Sequence, residues 1–349
     1  MNVESMQIGH NDTFLERINK ISPFDLGTIA FHIIVDSIGI SINAFLLYII
    51  VCYSPKAMSV YKLLLVNNCV TEMATSFFSL FVIQRHIPVP FQSLIYLSYG
   101  PCQMFGSVVC YETFMFLMHL ITHSAISLLL SFLYRYYVLF GSTPSKTATL
   151  KALVIAVIPS IISFVALSLS SDDPKQLREI LRKNFPNYYI DGGTISGHAY
   201  VYHSPGVLVT IFLVCFIIPS TYPIMIIIRK RILNIVKEAE YTASTKRMHA
   251  ELLKALTIQA ALPMLYFFSV TSFALCSMKV ANHPILENMT FSSVIIIPVI
   301  SPLVSLYFIT PYRRQILKMW NNVNRDKISP TSNSKVYCQD STINSKVYE

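Results

Sequence analysis

The chain has 349 residues, of which 53% are hydrophobic and 13% are charged, with a formal net charge of +9 at pH 7. Globular proteins carry about 25% charged residues, so this chain lacks the polar surface that a soluble domain needs. Its long continuous apolar runs also exclude a transmembrane barrel, whose short strands alternate polar and apolar residues. The composition therefore predicts an all-α membrane protein.

The N-terminal segment, residues 1–27, is mixed polar, and we expect it to lie outside the cell. The apolar run that follows it is longer than the core of a cleavable signal peptide, about 7–15 residues, so the first span is predicted to act as an uncleaved insertion signal. Asn11-Asp12-Thr13 is a glycosylation sequon, which makes Asn11 the predicted glycosylation site.

Seven apolar segments between residues 28 and 310 are long enough to cross the bilayer, which takes about 20 residues of helix. In chain order they are Thr28–Cys52, Leu63–Ile83, Gly106–Tyr134, Ala152–Ser170, Gly206–Ile228, Ala255–Met278 and Thr290–Thr310. A further apolar segment, Ile87–Gly100, is only about 14 residues long, which favours a loop or an interfacial segment. The sequence therefore predicts a seven-transmembrane helix bundle.

Ionisable side chains are costly inside a bilayer, so each one in a span is a candidate functional residue. Glu112, His119 and His123 recur at helical spacing and share one face of span three. Similar polar faces on spans one and two hold His32 and Asp36, and Asn68 and Glu72. For spans one and two we favour a structural network of hydrogen bonds between helices over a ligand or ion site. At Glu112 neither interpretation is preferred.

A ligand site at Glu112 and His119 would lie within reach of the outer side of the membrane. No Lys or Arg occurs in the outer halves of the spans, so the sequence offers the Glu112 carboxylate no permanently charged partner there. A cationic or hydrogen-bonding ligand would fill that role, with water, His32 or His119 as the alternatives.

Seven cysteines are present without the spacing of a metal site, and no metal or cofactor is predicted. Cys102, Cys110 and Cys276 lie towards the outer side, where a disulfide can persist, but the sequence does not decide whether one forms. Prolines interrupt the later spans and can act as hinges. They are Pro159, Pro219, Pro223, Pro263, Pro298 and Pro302.

The basic residues predict the orientation of the bundle, because cytoplasmic loops are enriched in Lys and Arg. With the N-terminus outside and the C-terminus in the cytoplasm, most of the 27 basic residues lie inside. Eight would lie outside: Arg17, Lys20, Arg85, Lys175, Arg178, Arg182, Lys183 and Lys279. This distribution explains the positive charge without a nucleic-acid partner.

The chain after the last span divides into two parts. Residues 311–323 place Tyr312, Ile316, Leu317 and Trp320 at helical spacing between basic residues, which predicts an amphipathic helix on the lipid of the inner leaflet. Residues 324–349 are polar and are predicted to be a disordered cytoplasmic tail.

Several short motifs occur in the order found in known receptors. Tyr134-Arg135-Tyr136 closes span three, Pro263 lies in mid span six, and Pro302 with Tyr307 lies in span seven. These resemble motifs of rhodopsin-like G-protein-coupled receptors. Ser54-Pro55-Lys56 and Pro311-Tyr312-Arg313-Arg314 resemble those of nematode serpentine chemoreceptors. Tyr99-Gly100-Pro101-Cys102 and Leu133–Tyr137 are most similar to the class delta receptors of that group.

This resemblance, over residues 25–325, implies a plasma-membrane chemosensory receptor that binds a small molecule and signals through a heterotrimeric G protein. It implies signalling roles for Arg135, Tyr136, Pro263, Pro302 and Tyr307. The chain departs from the rhodopsin-like pattern because Tyr134 replaces the acidic residue before Arg135. Its second outer loop also has no cysteine to pair with the one at span three. Dimer formation stays open.

Two other classes of membrane protein stay open. A ligand-gated seven-span channel has its N-terminus inside, against the distribution of basic residues. A small-solute transporter would show repeated halves with matching broken helices, which the sequence lacks. An enzyme is not predicted, since the loop histidines His198 and His203 show no catalytic or metal-binding arrangement.

Overall fold

A computed structural model describes residues 21–55, 58–90, 92–139, 144–213, 216, 218–238, 243–262, 264–278, 280 and 283–328. The helices are α1 (Pro23–Tyr53), α2 (Ser59–Val82), α3 (Ser107–Val138), α4 (Lys146–Ser168), α5 (Pro174–Asn184), α6 (Pro205–Phe212), α7 (Ile218–Glu238), α8 (Ala243–Ala261), α9 (Met264–Ser277), α10 (Pro284–Ser292), α11 (Ile297–Phe308) and α12 (Thr310–Ile328). The strands are β1 (Gln84–Val89), β2 (Ser93–Ser98) and β3 (Thr194–His198).

Six segments of the described chain are long and apolar enough to cross a membrane. Four are single helices, α1 to α4, and two are helix pairs, α8 with α9 over Leu253–Ser277 and α10 with α11 over Pro284–Phe308. Helices α6 and α7 coincide with the predicted fifth span. The predicted seven-helix bundle is therefore confirmed, and the chain is a multi-pass membrane protein.

The first and last spans begin earlier than the apolar runs indicate. Helix α1 starts at Pro23, where the Ser22 hydroxyl accepts a hydrogen bond from the Phe24 backbone N–H. Proline at the first helical position and serine before it are a common helix start. Helix α10 starts at Pro284. The longer helices bring Asp25 and Glu287, both buried, into the end of the bundle.

A three-stranded antiparallel sheet covers one end of the bundle, which we call the sheet end. Strands β1 and β2 form a hairpin between α2 and α3, and β3 comes from the segment between α4 and α6. The segment Ile87–Gly100 was predicted not to cross the membrane, and in the structure it forms most of this hairpin. Ile83, with φ of 42°, ends α2 and turns the chain into β1.

The sheet is buried between α5 and the bundle. On one face, Ile87, Ile95 and Leu97 pack with Leu177 and Leu181 of α5. These two leucines are four positions apart and so lie on the same side of the helix. The opposite face of the sheet points into the bundle, because successive side chains of a strand alternate in direction.

Hydrogen bonds between polar side chains link the spans. His32 Nδ1 lies 3.1 Å from Asp36 Oδ2 on α1, and the Ser79 hydroxyl of α2 donates to the same carboxylate oxygen over 2.8 Å. Asn43 Nδ2 donates to the carbonyl of Pro298 over 2.7 Å. A cavity of about 20 Å³, room for about one water molecule, lies beside Asn68 and Glu72. The hydrogen bonds of Asp36 and Asn43 are of the kind predicted for a structural network, and for Asn68 and Glu72 that network stays a prediction.

At the end opposite the sheet, α12 follows the last span, as predicted for an amphipathic helix. Tyr312 is fully buried, and its hydroxyl forms a 2.9 Å hydrogen bond with that of Ser54. Ile316 packs against the cluster of buried residues that contains Tyr312, whereas Leu317 and Trp320 are exposed. We call this end of the molecule the Arg135 end, because α3 ends there.

Candidate functional site

A cavity of about 410 Å³ lies inside the bundle, below the sheet. Its roof is formed by β1 and β2, and its walls by α3, α6, α9 and α10. Small-molecule sites in proteins occupy about 300–1,000 Å³, so this cavity has the size of a ligand site.

The walls of the cavity are mainly hydrocarbon and aromatic. Helix α3 contributes Phe114, Met115 and Met118, and α9 contributes Val270 and Phe273. None of the lining residues that the structure describes is a Lys, Arg, Asp or Glu. An ionised ligand group would therefore be buried there without an opposite charge, which is costly.

His86, on β1, is the one histidine among the described lining residues of the cavity. It is 8% exposed and packs against the rings of Tyr96, Phe114 and Phe291 at centroid distances of 5.1, 5.2 and 5.6 Å. Burial lowers the pKa of His86 to about 3, so the imidazole is neutral at physiological pH. Its Nε2 atom has no hydrogen-bond partner among the described residues.

The neighbouring residue of the strand, Arg85, holds β1 in place through buried ion pairs. Its guanidinium lies 2.7 Å from Asp25 Oδ2 of α1 and 2.6 Å from Glu287 Oε2 of α10. Tyr188, from the segment after α5, donates a hydrogen bond to Glu287 over 2.9 Å. Burial alone would lower the pKa of Arg85, but the carboxylates of Glu287 and Asp25 outweigh it and raise that pKa.

The Asp25–Arg85–Glu287 cluster was missed by the sequence analysis. Its two carboxylates were placed outside the spans, because the apolar runs start later than the helices do. The sequence contained a signal for these two carboxylates, because a proline is common at the first position of a helix. Ser22-Pro23 and His283-Pro284 both place a proline there.

Glu112 and His119 lie on a different side of α3 from the cavity. Glu112 is half-buried, and its Oε2 accepts a 2.7 Å hydrogen bond from the Ser168 hydroxyl of α4. His119 packs against Phe116 and against Phe164 of α4. Neither residue is among the described lining residues of the cavity. Their predicted contact with a ligand stays a prediction.

Arg135 lies in the last turn of α3 and is held by an aromatic ring. Its guanidinium carbon lies 3.9 Å from the ring centroid of Tyr61 on α2, and Tyr61 stacks on Tyr134 at 5.8 Å. This geometry is a cation–π contact between Arg135 and Tyr61. The guanidinium Nε and Nη2 atoms have no hydrogen-bond partner among the described residues.

The other predicted signalling residues are spread over the bundle. Tyr136 is half-buried and packs beside a cluster of α3, α7 and α8 that includes Phe132 and Ile232. Pro302 is buried inside α11, whereas Tyr307 is 63% exposed. Pro263 and the predicted glycosylation site Asn11 lie outside the described residues. Of these signalling residues, the structure describes Arg135, Tyr136, Pro302 and Tyr307, which differ in element and in burial, and their predicted roles stay predictions.

Two of the cysteines form a disulfide, which the sequence left undecided. Cys102 is bonded to Cys110 and ties the short turn Pro101–Phe105 to the first turn of α3. The described residues contain no cluster of His, Cys, Asp or Glu that could hold a metal ion.

The fold is that of the seven-helix receptors. The structure of squid rhodopsin superposes with a TM-score of 0.61 over 93% of this chain and 91% of that chain, at 11% sequence identity. At this identity the likeness concerns the fold.

Sequence comparison gives the family. The model of the family "Serpentine type 7TM GPCR chemoreceptor Srd" matches residues 28–318, and the chain belongs to this family. Two similar relatives are the serpentine receptors class delta-18 and class delta-19 of Caenorhabditis elegans. They are 31% and 30% identical to this chain, each over 86% of it and over 90% and 91% of their own lengths. The predicted class delta resemblance is confirmed.

Proposed function

We propose that the chain is a chemosensory receptor that binds a small molecule in the cavity at the sheet end and activates a heterotrimeric G protein at the Arg135 end. The observation that carries this proposal is the partly open cavity of about 410 Å³ that is lined by residues of four of the spans. In this proposal the receptor lies in the plasma membrane, with its N-terminus and sheet end outside and its C-terminus in the cytoplasm.

Helix α3 connects the two ends. Phe114, Met115 and Met118 line the cavity in the first half of the helix, and Arg135 lies in its last turn. A ligand that fits one arrangement of α3, α6 and α9 better than another shifts the population of the bundle towards that arrangement. Prolines within the later spans, such as Pro223 and Pro302, give these helices places to bend.

The state of Arg135 suggests how the resting receptor is restrained. The Tyr61 ring holds the guanidinium at the Arg135 end, and two of its nitrogen atoms are buried without a hydrogen-bond partner among the described residues. Arginine offers five N–H donors, so these nitrogens can bind carbonyl groups of a partner protein once the ring releases them. The Tyr61–Arg135 contact would thus replace the ionic restraint that is missing from Tyr134-Arg135-Tyr136.

A screen in cultured cells tests the proposal. Cells that express the receptor are exposed to a panel of small volatile and water-soluble molecules, and a second messenger is measured. Val270→Phe places a larger side chain on the cavity wall and should weaken an agonist at least ten-fold. Val209→Phe is the matched control, because Val209 is 40% exposed and lies outside the described cavity lining. Equal potency in both variants would place the ligand elsewhere.

A further inference from the structure

We propose that the ligand is a neutral, mainly hydrocarbon molecule with a single oxygen function, and that His86 binds this oxygen. This inference rests on the proposed function, because it concerns the same cavity. It assigns the recognition of the ligand to the β1–β2 hairpin, between α2 and α3.

The hydrocarbon character follows from the walls. The surfaces that α3 and α9 present to the cavity are mainly apolar, and Ser269 and Ser277 of α9 are their polar members. The apolar side chains are those of Phe114, Met115, Met118, Val270 and Phe273. Apolar ligand surface buried against such walls gains about 25 cal/mol per Å². A carboxylate or ammonium group on the ligand would find no opposite charge among the described lining residues.

The position of the oxygen follows from the one imidazole in the lining. His86 lies on the sheet face that points into the bundle, paired with Tyr96 across the hairpin. Its Nε2 atom is buried and has no protein partner in the described chain. A buried polar atom without a hydrogen bond costs about 1–3 kcal/mol, and a ligand group that satisfies it recovers part of that cost.

The strand that carries His86 is anchored by contacts on both of its faces. Arg85 is fixed by Asp25 and Glu287 on the other face of β1, and the His86 ring is held by three aromatic neighbours. The imidazole is therefore positioned before a ligand arrives, which reduces the entropy lost on binding.

The neutral imidazole restricts the type of oxygen function. A neutral histidine has one N–H donor and one acceptor nitrogen, and which nitrogen carries the hydrogen depends on the tautomer. A hydroxyl group satisfies either tautomer, and a ketone or ester satisfies the one with the hydrogen on Nε2. The Ser277 hydroxyl, which also lines the cavity without a described partner, offers a second contact.

A thermal-shift experiment on the purified full-length receptor in detergent tests this inference. The probes are equal numbers of alcohols, ketones, esters, primary amines, carboxylic acids and hydrocarbons, matched for carbon number. Compounds that stabilise the receptor are then titrated against His86→Phe, which keeps an aromatic ring and removes both nitrogens. His86→Gln restores a neutral donor and acceptor, and His203→Phe is the control on an exposed histidine.

We expect alcohols, ketones and esters to predominate among the stabilising compounds. Their affinity should fall at least ten-fold in His86→Phe, be partly restored in His86→Gln and be unchanged in His203→Phe. Stabilisation mainly by amines or acids, or equal affinity for wild type and His86→Phe, would overturn the inference. If the compounds that stabilise the receptor bind Val270→Phe more weakly than wild type, the proposed function stands even when the inference about His86 fails. If no compound binds, or Val270→Phe has no effect, the proposed function fails as well.

Discussion

Arg85 and His86 are adjacent in the sequence and have opposite environments. Arg85 is ion-paired with two buried carboxylates, whereas His86 is neutral and surrounded by aromatic rings. The alternation of a β-strand separates the two side chains onto opposite faces. One residue thus anchors the hairpin to α1 and α10, and the other faces the cavity.

We expect Arg85→Met to destabilise the receptor by about 3–5 kcal/mol, because Asp25 and Glu287 would be left buried without a cation. The control is Arg178→Met, which removes an exposed arginine paired with Asp191 and should cost at most about 1 kcal/mol. Chemical unfolding of the purified proteins measures the difference. A similar decrease in the free energy of unfolding in both variants would show that the buried cluster contributes no more to stability than a surface ion pair.

The depressed pKa of His86 predicts a pH dependence of stability. An unfolded histidine binds a proton below about pH 6.5, whereas the folded receptor keeps His86 neutral down to about pH 3. The free energy of unfolding therefore decreases as the pH falls from 6.5 towards 3, because only the unfolded state takes up the proton. Tyr96, the titratable side chain in ring contact with His86, stays neutral over this range because burial raises its pKa.

Unfolding of wild type and His86→Phe at pH 6.5 and pH 5 checks this expectation. Wild type should lose about 1.6 kcal/mol more than the variant over this interval, because the unfolded histidine is half protonated at pH 6.5 and almost fully protonated at pH 5. The other histidines are common to both proteins and cancel in the comparison. Parallel losses in the two proteins would mean that His86 titrates normally.

At the scale of the elements, the spans could be predicted and the sheet could not. Apolar length decides a membrane crossing, and it placed all seven spans. The hairpin segment Ile87–Gly100 is too short to cross, and the sequence did not show that its strand β2 pairs with β3, about 100 residues later in the chain. Such pairing depends on contacts distant in sequence, which local patterns do not record. The Cys102–Cys110 pairing was undecided for a different reason: the two cysteines are close in sequence, but three outer cysteines were available.

The candidate site could be predicted only in part. The polar residues of α3 were recognised by helical spacing, but their spacing does not say which neighbouring helix they face. In the structure Glu112 contacts Ser168 of α4, and apolar residues of α3 face the cavity instead. His86 was not a candidate, because it lies between the predicted second span, Leu63–Ile83, and the short apolar segment Ile87–Gly100, and only ionisable residues within spans were considered.

Substitution of Tyr61, on α2, tests whether its contact with Arg135 restrains the receptor. Tyr61→Leu removes the ring that stacks on Arg135 and should raise signalling without ligand about five-fold, taking about 1 kcal/mol for the cation–π contact. Tyr61→Phe keeps the ring and should behave like wild type. Basal second-messenger levels at matched surface expression provide the measurement. Unchanged basal signalling in Tyr61→Leu, in a receptor that still responds to an agonist, would remove Tyr61 from the mechanism.

For the whole molecule, the proposed orientation rests on the distribution of basic residues. An antibody against an epitope at residues 1–10 should bind intact cells, and one against a C-terminal epitope should bind only after permeabilisation. The reverse pattern would favour the ligand-gated channel over the receptor, since those channels have their N-terminus inside.

The central claim is that a ligand in the cavity at the sheet end is sensed at the Arg135 end. Its most direct test measures agonist binding and G-protein activation side by side in three proteins: wild type, Val270→Phe and Arg135→Ala. We predict that Val270→Phe loses both activities, whereas Arg135→Ala keeps its affinity for the agonist and its surface expression and loses activation. Normal activation by Arg135→Ala would contradict the account and would leave Arg135 as a basic residue at the membrane surface.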